Sequence, residues 1–187
     1  MNVGRLIART VIGGLFVGHG TQKLMGWFGG PGLEGTAGMM KSLELNPPRP
    51  NAIAAGVAET GGGVLLCLGL GTPLASSALI GTMITAIRKV HWSNGPWVSA
   101  GGYEYNVVLI AALLGLAEDR PGDVSLDQAL GLEFTGFRWS VAALVLGAAA
   151  SSATVWLGRK TPAPVEDSAP TTVDLEEPPG ATGPDTV

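Results

Sequence analysis

The feature that most constrains this chain is a series of long, nearly charge-free apolar stretches. Five qualify as helical spans: Leu6–Met25, Asn51–Leu70, Pro73–Val90, Gly102–Ala117 and Trp139–Leu157. A bilayer hydrocarbon core of about 30 Å takes about 20 predominantly apolar residues in helical form. The fourth stretch is short, and the fifth is rich in alanine and serine. Charged residues make up 14% of the chain, where a soluble domain carries about 25%. The expectation is an all-α membrane protein. Residues 1–125 read as a four-helix transmembrane bundle, and 126–158 as a linker and a fifth, C-terminal transmembrane helix. Residues 159–187 read as a disordered, acidic, Pro-rich tail.

The net charge of −4 belongs to that tail. Residues 1–158 hold nine Lys/Arg and nine Asp/Glu, and the six acids after Lys160 face no base. This balance excludes nucleic acid as a partner. Cys67 is the sole cysteine, which excludes an intrachain disulfide, a CxxC pair and a thiolate metal site. A signal peptide is not expected: the first stretch lacks a small-x-small cleavage site and contains Arg9, His19 and Lys23.

The connections differ in character. Residues 26–50 read as a long loop, with WFGGPG at one end and NPPRP at the other. Gly71-Thr72-Pro73 is so short that its flanking helices must be antiparallel neighbours. Residues 91–101 form a Trp- and Gly-rich loop, and 118–137 a polar segment with a short interfacial helix over Ser125–Leu130. All five tryptophans fall at or beside the ends of the stretches, where amphipathic rings favour the bilayer interface. We call the membrane face bearing the N-terminus face A and the other face B; lysine and arginine are spread over both. Gly14-x-x-x-Gly18 is expected to be a helix contact. Gly29-Gly30-Pro31-Gly32 lacks the GKS/GKT ending of a phosphate loop, so nucleotide binding is rejected.

Ionisable groups inside a span are costly, and each is a functional candidate. His19 lies about 9 Å from the face-B end of the first helix at ~1.5 Å per residue. Gln22 and Lys23 follow on the same helix face. Glu59 lies about 12 Å into the second helix. Arg88 and His91 end the third helix, and Glu104 opens the fourth. All seven cluster in the face-B half. An unpaired carboxylate there would be protonated or matched with a base, and Glu59 is expected beside His19, Lys23 or Arg88. No metal site is expected, because the histidines and carboxylates lack ligand spacing.

The run from His19 to Thr36, HGTQKLMGWFGGPGLEGT, resembles the first-helix and loop signature of DoxX family membrane proteins. Further likeness lies in Ala58-Glu59, Gly61-Gly62-Gly63, Leu68-Gly69-Leu70-Gly71-Thr72, Val90-His91-Trp92 and Gly101-Gly102-Tyr103-Glu104-Tyr105. It covers about residues 5–125. The resemblance implies a four-helix membrane protein. The family takes its name from a subunit associated with thiosulfate:quinone oxidoreductase. Other members are linked to oxidative-stress defence, beside a superoxide dismutase and a sulfurtransferase-like protein.

Three functions are compatible with these residues. One is a redox-linked membrane subunit that binds quinone, with the polar cluster on the head group and apolar helix faces on the isoprenoid tail. Another is a scaffold that anchors soluble redox enzymes of the superoxide dismutase or sulfurtransferase type at the cell membrane. The third is a small-molecule transporter or channel lined by the cluster, which with so few helices would need a homo-oligomer. The chain has no haem motif, iron–sulfur cysteines or flavin fingerprint, so electron chemistry would require a partner, and catalytic residues are not assigned.

Overall fold

In the computed structural model, residues 3–120 and 122–162 are described, and among them every regular element is helical. The elements are α1 (Val3–Met25), α2 (Gly32–Ser42), α3 (Pro48–Leu68), α4 (Thr72–Ala86), α5 (Glu104–Glu118), α6 (Leu126–Ala129) and α7 (Phe137–Lys160). A π-helical turn, Ile87–His91, prolongs α4. The expected tail begins too early, because Arg159 and Lys160 are the last turn of α7; residues 163–187 lie outside those described. Two helices, Pro48–Leu68 and Phe137–Lys160, are long and apolar enough to cross a bilayer, with mean hydropathies of 1.4 and 1.7.

The 26–50 segment is not the loop expected from its ends. It contains α2, which starts after Pro31 and buries Thr36 and Met40. Leu33 and Ala37 pack beside them against Leu45, Ala52 and Val155. This is the i, i+3, i+4, i+7 spacing of an amphipathic helix, and the glycines at the ends obscure it.

Close approach is set by small residues. A Cβ at Gly13 would lie 2.6 Å from the Gly63 carbonyl oxygen, and one at Gly20 2.7 Å from that of Gly56. α1 and α3 therefore touch backbone to backbone. Gly14 and Gly18 have open space around them, so the expected Gly14/Gly18 contact is not made. They point away with the exposed Ile7 and Val11. α4 and α7 meet in the same way, a Cβ at Gly147 lying 2.9 Å from the Ser77 carbonyl oxygen. The apolar core joins Phe16, Leu66, Leu79, Ile80 and Leu113 from four helices. α1 and α5 barely touch.

At face A the α3–α4 turn uses two left-handed glycines, Gly69 (φ 62°) and Gly71 (φ 56°). Gly69 closes α3, with the Leu70 amide donating to the Leu65 carbonyl at 2.9 Å. Asp127, fully buried on α6, accepts from the Gly71 amide at 2.8 Å and from the Thr72 amide and hydroxyl at 3.2 Å. It caps α4 from a distant segment, where the helix dipole favours a carboxylate. Buried Arg9 donates to the Val124 carbonyl at 2.6 Å, and Arg5 pairs with Asp119 at 2.6 Å. Asp119, Val124 and Asp127 thus tie their segments onto the face-A ends of α1, α3 and α4.

Candidate functional site: a polar-ended cavity in the face-B half

A cavity of about 670 Å³ lies among α1, α2, α3, α4, α5 and α7. Its walls are largely apolar, with Phe16, Ala55, Met83 and Leu109 among them. His19, Lys23, Glu59 and His91 all line it. The size lies within the range of about 300–1,000 Å³ usual for small-molecule pockets, which combine apolar walls with a few placed polar groups.

Lys23 donates to the Glu59 carboxylate. The Glu59 side chain is 6% exposed and that of Lys23 21%. The backbone contact of α1 with α3 brings the two within reach. Among the three expected partners of Glu59 it is Lys23, and not His19 or Arg88, that bonds it. His19, one turn earlier on α1, sits at the exposed rim. The His91 Nδ1 lies 2.7 Å from the Gly101 carbonyl oxygen. A carbonyl only accepts, so Nδ1 donates and a neutral ring leaves Nε2 as an acceptor. Lys89, also on the wall, lies 3.9 Å from the Glu44 carboxylate.

The other three expected residues face elsewhere. Gln22 packs under Gly30, whose Cβ would lie 2.4 Å from that of Gln22; it holds the WFGG turn to α1. Arg88 donates to the Ser152 hydroxyl at 3.2 Å and so ties α4 to α7. Glu104 accepts from the Val98 amide at 3.0 Å and orders the 98–104 turn. None of the three lines the cavity. Helical periodicity places residues on a face but does not reveal which backbone donor or neighbouring helix will take them up.

Asn106 is the site residue that sequence reasoning misses. It is 6% exposed on α5 and lines the cavity. Its amide nitrogen meets the Met83 thioether at 3.4 Å, and thioether sulfur is a weak acceptor. The available signal was a lone amide in the first turns of an otherwise apolar stretch.

A helical protein with apolar spans and a buried polar pair beside a lipid-sized cavity belongs to the class of small helical membrane proteins. Residues 4–92, just under half of the chain, match the family described as DoxX, and this part of the chain is similar to that family. The match reaches from α1 to Trp92 and so includes His19, Lys23, Glu59 and His91, whereas α5, α6 and α7 lie beyond it. No curated protein and no solved structure matches the chain.

Proposed function

We propose that this chain is a multi-pass cell-membrane protein, with a four-helix DoxX-like core and α7 as a fifth span. In this reading it serves as an auxiliary or scaffold subunit of a membrane-associated redox system and holds a quinone-class molecule in its cavity. The observation that carries the proposal is the 670 Å³ cavity with apolar walls and the Lys23–Glu59 pair on its surface. The residues present fit such a molecule. Lys23, His19 and Asn106 offer donors to ring oxygens, and the apolar helix faces suit an isoprenoid chain. When bound, a quinone supplies two-electron redox chemistry. Electrons would come from a partner, a soluble redox enzyme of the superoxide dismutase or sulfurtransferase type, because the sequence carries no redox-centre motif of its own.

The transporter or channel reading requires a path to face A. The cavity lining reaches Leu15, Ala78 and Leu109, and toward face A lie buried Arg9 and Asp127, with Asp119, Val124 and Asp127 tied to the helix ends. That arrangement favours binding over passage. The test is purification from native membranes in mild detergent, with identification of co-purifying proteins and extracted quinones. A redox enzyme and near-stoichiometric quinone are expected, both reduced in a Lys23→Met/Glu59→Leu variant. Purification without either would refute the reading.

A further inference from the structure

The polar atoms on the cavity wall are not equally available. Lys23 is matched by Glu59 and Lys89 faces Glu44. The Lys23–Glu59 pair is neutral overall whichever partner holds the proton. Nδ1 of His91 is taken by Gly101. An anionic head group beside Asn106 would therefore have to displace Glu59 from Lys23 or Glu44 from Lys89, or reach out to His19 at the exposed rim. Desolvating a charge without a matched partner is costly in such a site. Asn106 is different. It is nine-tenths buried, it lines the cavity, and its nitrogen meets the Met83 sulfur at 3.4 Å. A thioether is a weak acceptor, so this buried donor is poorly satisfied. It is relieved by a ligand that accepts from the nitrogen, and such a ligand can also donate to the oxygen. The cavity also has a side entrance: Leu15 and His19 of α1 and Tyr105 of α5 line it yet are exposed, and these two helices barely touch. An alkyl chain can leave the cavity there into lipid.

We propose that the cavity selects amphiphiles with a neutral, hydrogen-bonding head over anionic ones, and that Asn106 is the residue that reads the head. This rests on the cavity being a ligand site, as proposed above. It goes further by assigning the charge class of the ligand and the specificity residue, on an element outside the family match. The Lys23–Glu59 pair acts as a filter against anions by occupying its own cation.

The experiment compares two probes of one chain length, dodecanamide and dodecanoate, on the full chain in lipid nanodiscs by scintillation proximity, with empty nanodiscs subtracted. Dodecanamide is expected to bind at least about tenfold more tightly than dodecanoate, the scale of one good polar contact. Asn106→Leu should remove about tenfold of the dodecanamide affinity and leave dodecanoate unchanged. Glu59→Gln exposes Lys23, and dodecanoate should then gain about tenfold. Asn106→Ser serves in the same role if the leucine variant does not fold. Ala58→Phe, which puts a ring into the cavity beside Glu59, should weaken binding of both probes. Equal binding of the two probes, dodecanamide affinity within twofold of wild type in both Asn106 variants, or no dodecanoate gain in Glu59→Gln would overturn the proposal while leaving the cavity as a site. Undiminished binding in folded Ala58→Phe, or no binding of either probe to wild type, would overturn the cavity reading and this proposal together.

Discussion

Glu59 is the residue in this bundle that most needs a partner, and Lys23 supplies it across the α1–α3 contact. Removing one member leaves the other buried without its match, which typically costs about 3–5 kcal/mol. Glu59→Gln and Lys23→Met should each lower the unfolding midpoint in detergent. The Lys23→Met/Glu59→Leu double variant should lose less than the sum of the corresponding single variants. His19 is not bonded to Glu59, so the His19→Gln/Glu59→Gln pair should lie closer to additivity. Strong His19–Glu59 coupling with strict Lys23–Glu59 additivity would reverse the assignment. The sequence shows that Glu59 needs a base, because a carboxylate among Gly56, Gly62 and Gly63 stands alone in an apolar window. It cannot choose among bases on neighbouring helices, a choice made by side-chain reach and helix rotation. Asp127 illustrates the same limit. Its role as a cap for α4 depends on a contact between segments distant in the chain, and nothing local distinguishes it from the other acids of 118–137. Asp127→Ala should uncap α4 and leave the Gly71 and Thr72 amides without their acceptor. A loss of about 1–3 kcal/mol is expected from thermal unfolding, and an unchanged midpoint would remove Asp127 from that role.

α3 and α7 were legible because a bilayer-length apolar stretch is a strong, local signal, whereas the faces that helices present are settled only by assembly. The Gly14/Gly18 pair has the familiar small-xxx-small spacing, yet Gly13 and Gly20 make the contact with α3. Spacing alone cannot say which of two overlapping glycine rows points inward. A leucine at Gly13 must push the Gly63 backbone away, and overpacking typically costs about 1–3 kcal/mol. Gly14→Leu meets nothing within 4 Å and should be tolerated. Parallel thermal unfolding of Gly13→Leu and Gly14→Leu in detergent decides which row is the interface; equal loss in both would show that it includes Gly14. α7 is anchored to α4 by Gly81 and Gly147 and by the Thr85–Ser151 hydroxyl contact at 2.9 Å. The alanine and serine that weaken its hydropathy signal are what allow so close an approach.

Across the whole molecule, the proposed number of spans predicts where each end emerges. α1, α3, α4 and α5 alternate in direction, so the 42–47 turn and the 92–103 loop share face B, whereas the Gly71 turn and α6 share face A. The Asp127–Gly71 hydrogen bond and the Arg5–Asp119 pair tie the face-A segments together. α7 then starts at face A, where the Gly136 amide donates to the Glu118 carbonyl at 2.7 Å. It ends at face B, where a Cβ on Gly158 would lie 3.0 Å from Leu45 Cα. The proposed five crossings would place Thr161 opposite the N-terminus and on the same side as Ser42. In a Cys67→Ala background, single cysteines at Ser42, Gln128 and Thr161 report this directly through a membrane-impermeant maleimide on sealed vesicles. Ser42 and Thr161 should label from one side and Gln128 from the other. Labelling of Ser42 and Gln128 from the same side would refute the four-span core. Labelling of Thr161 together with Gln128 would show that α7 does not cross, and its seat on α4 would then have to form without a fifth span.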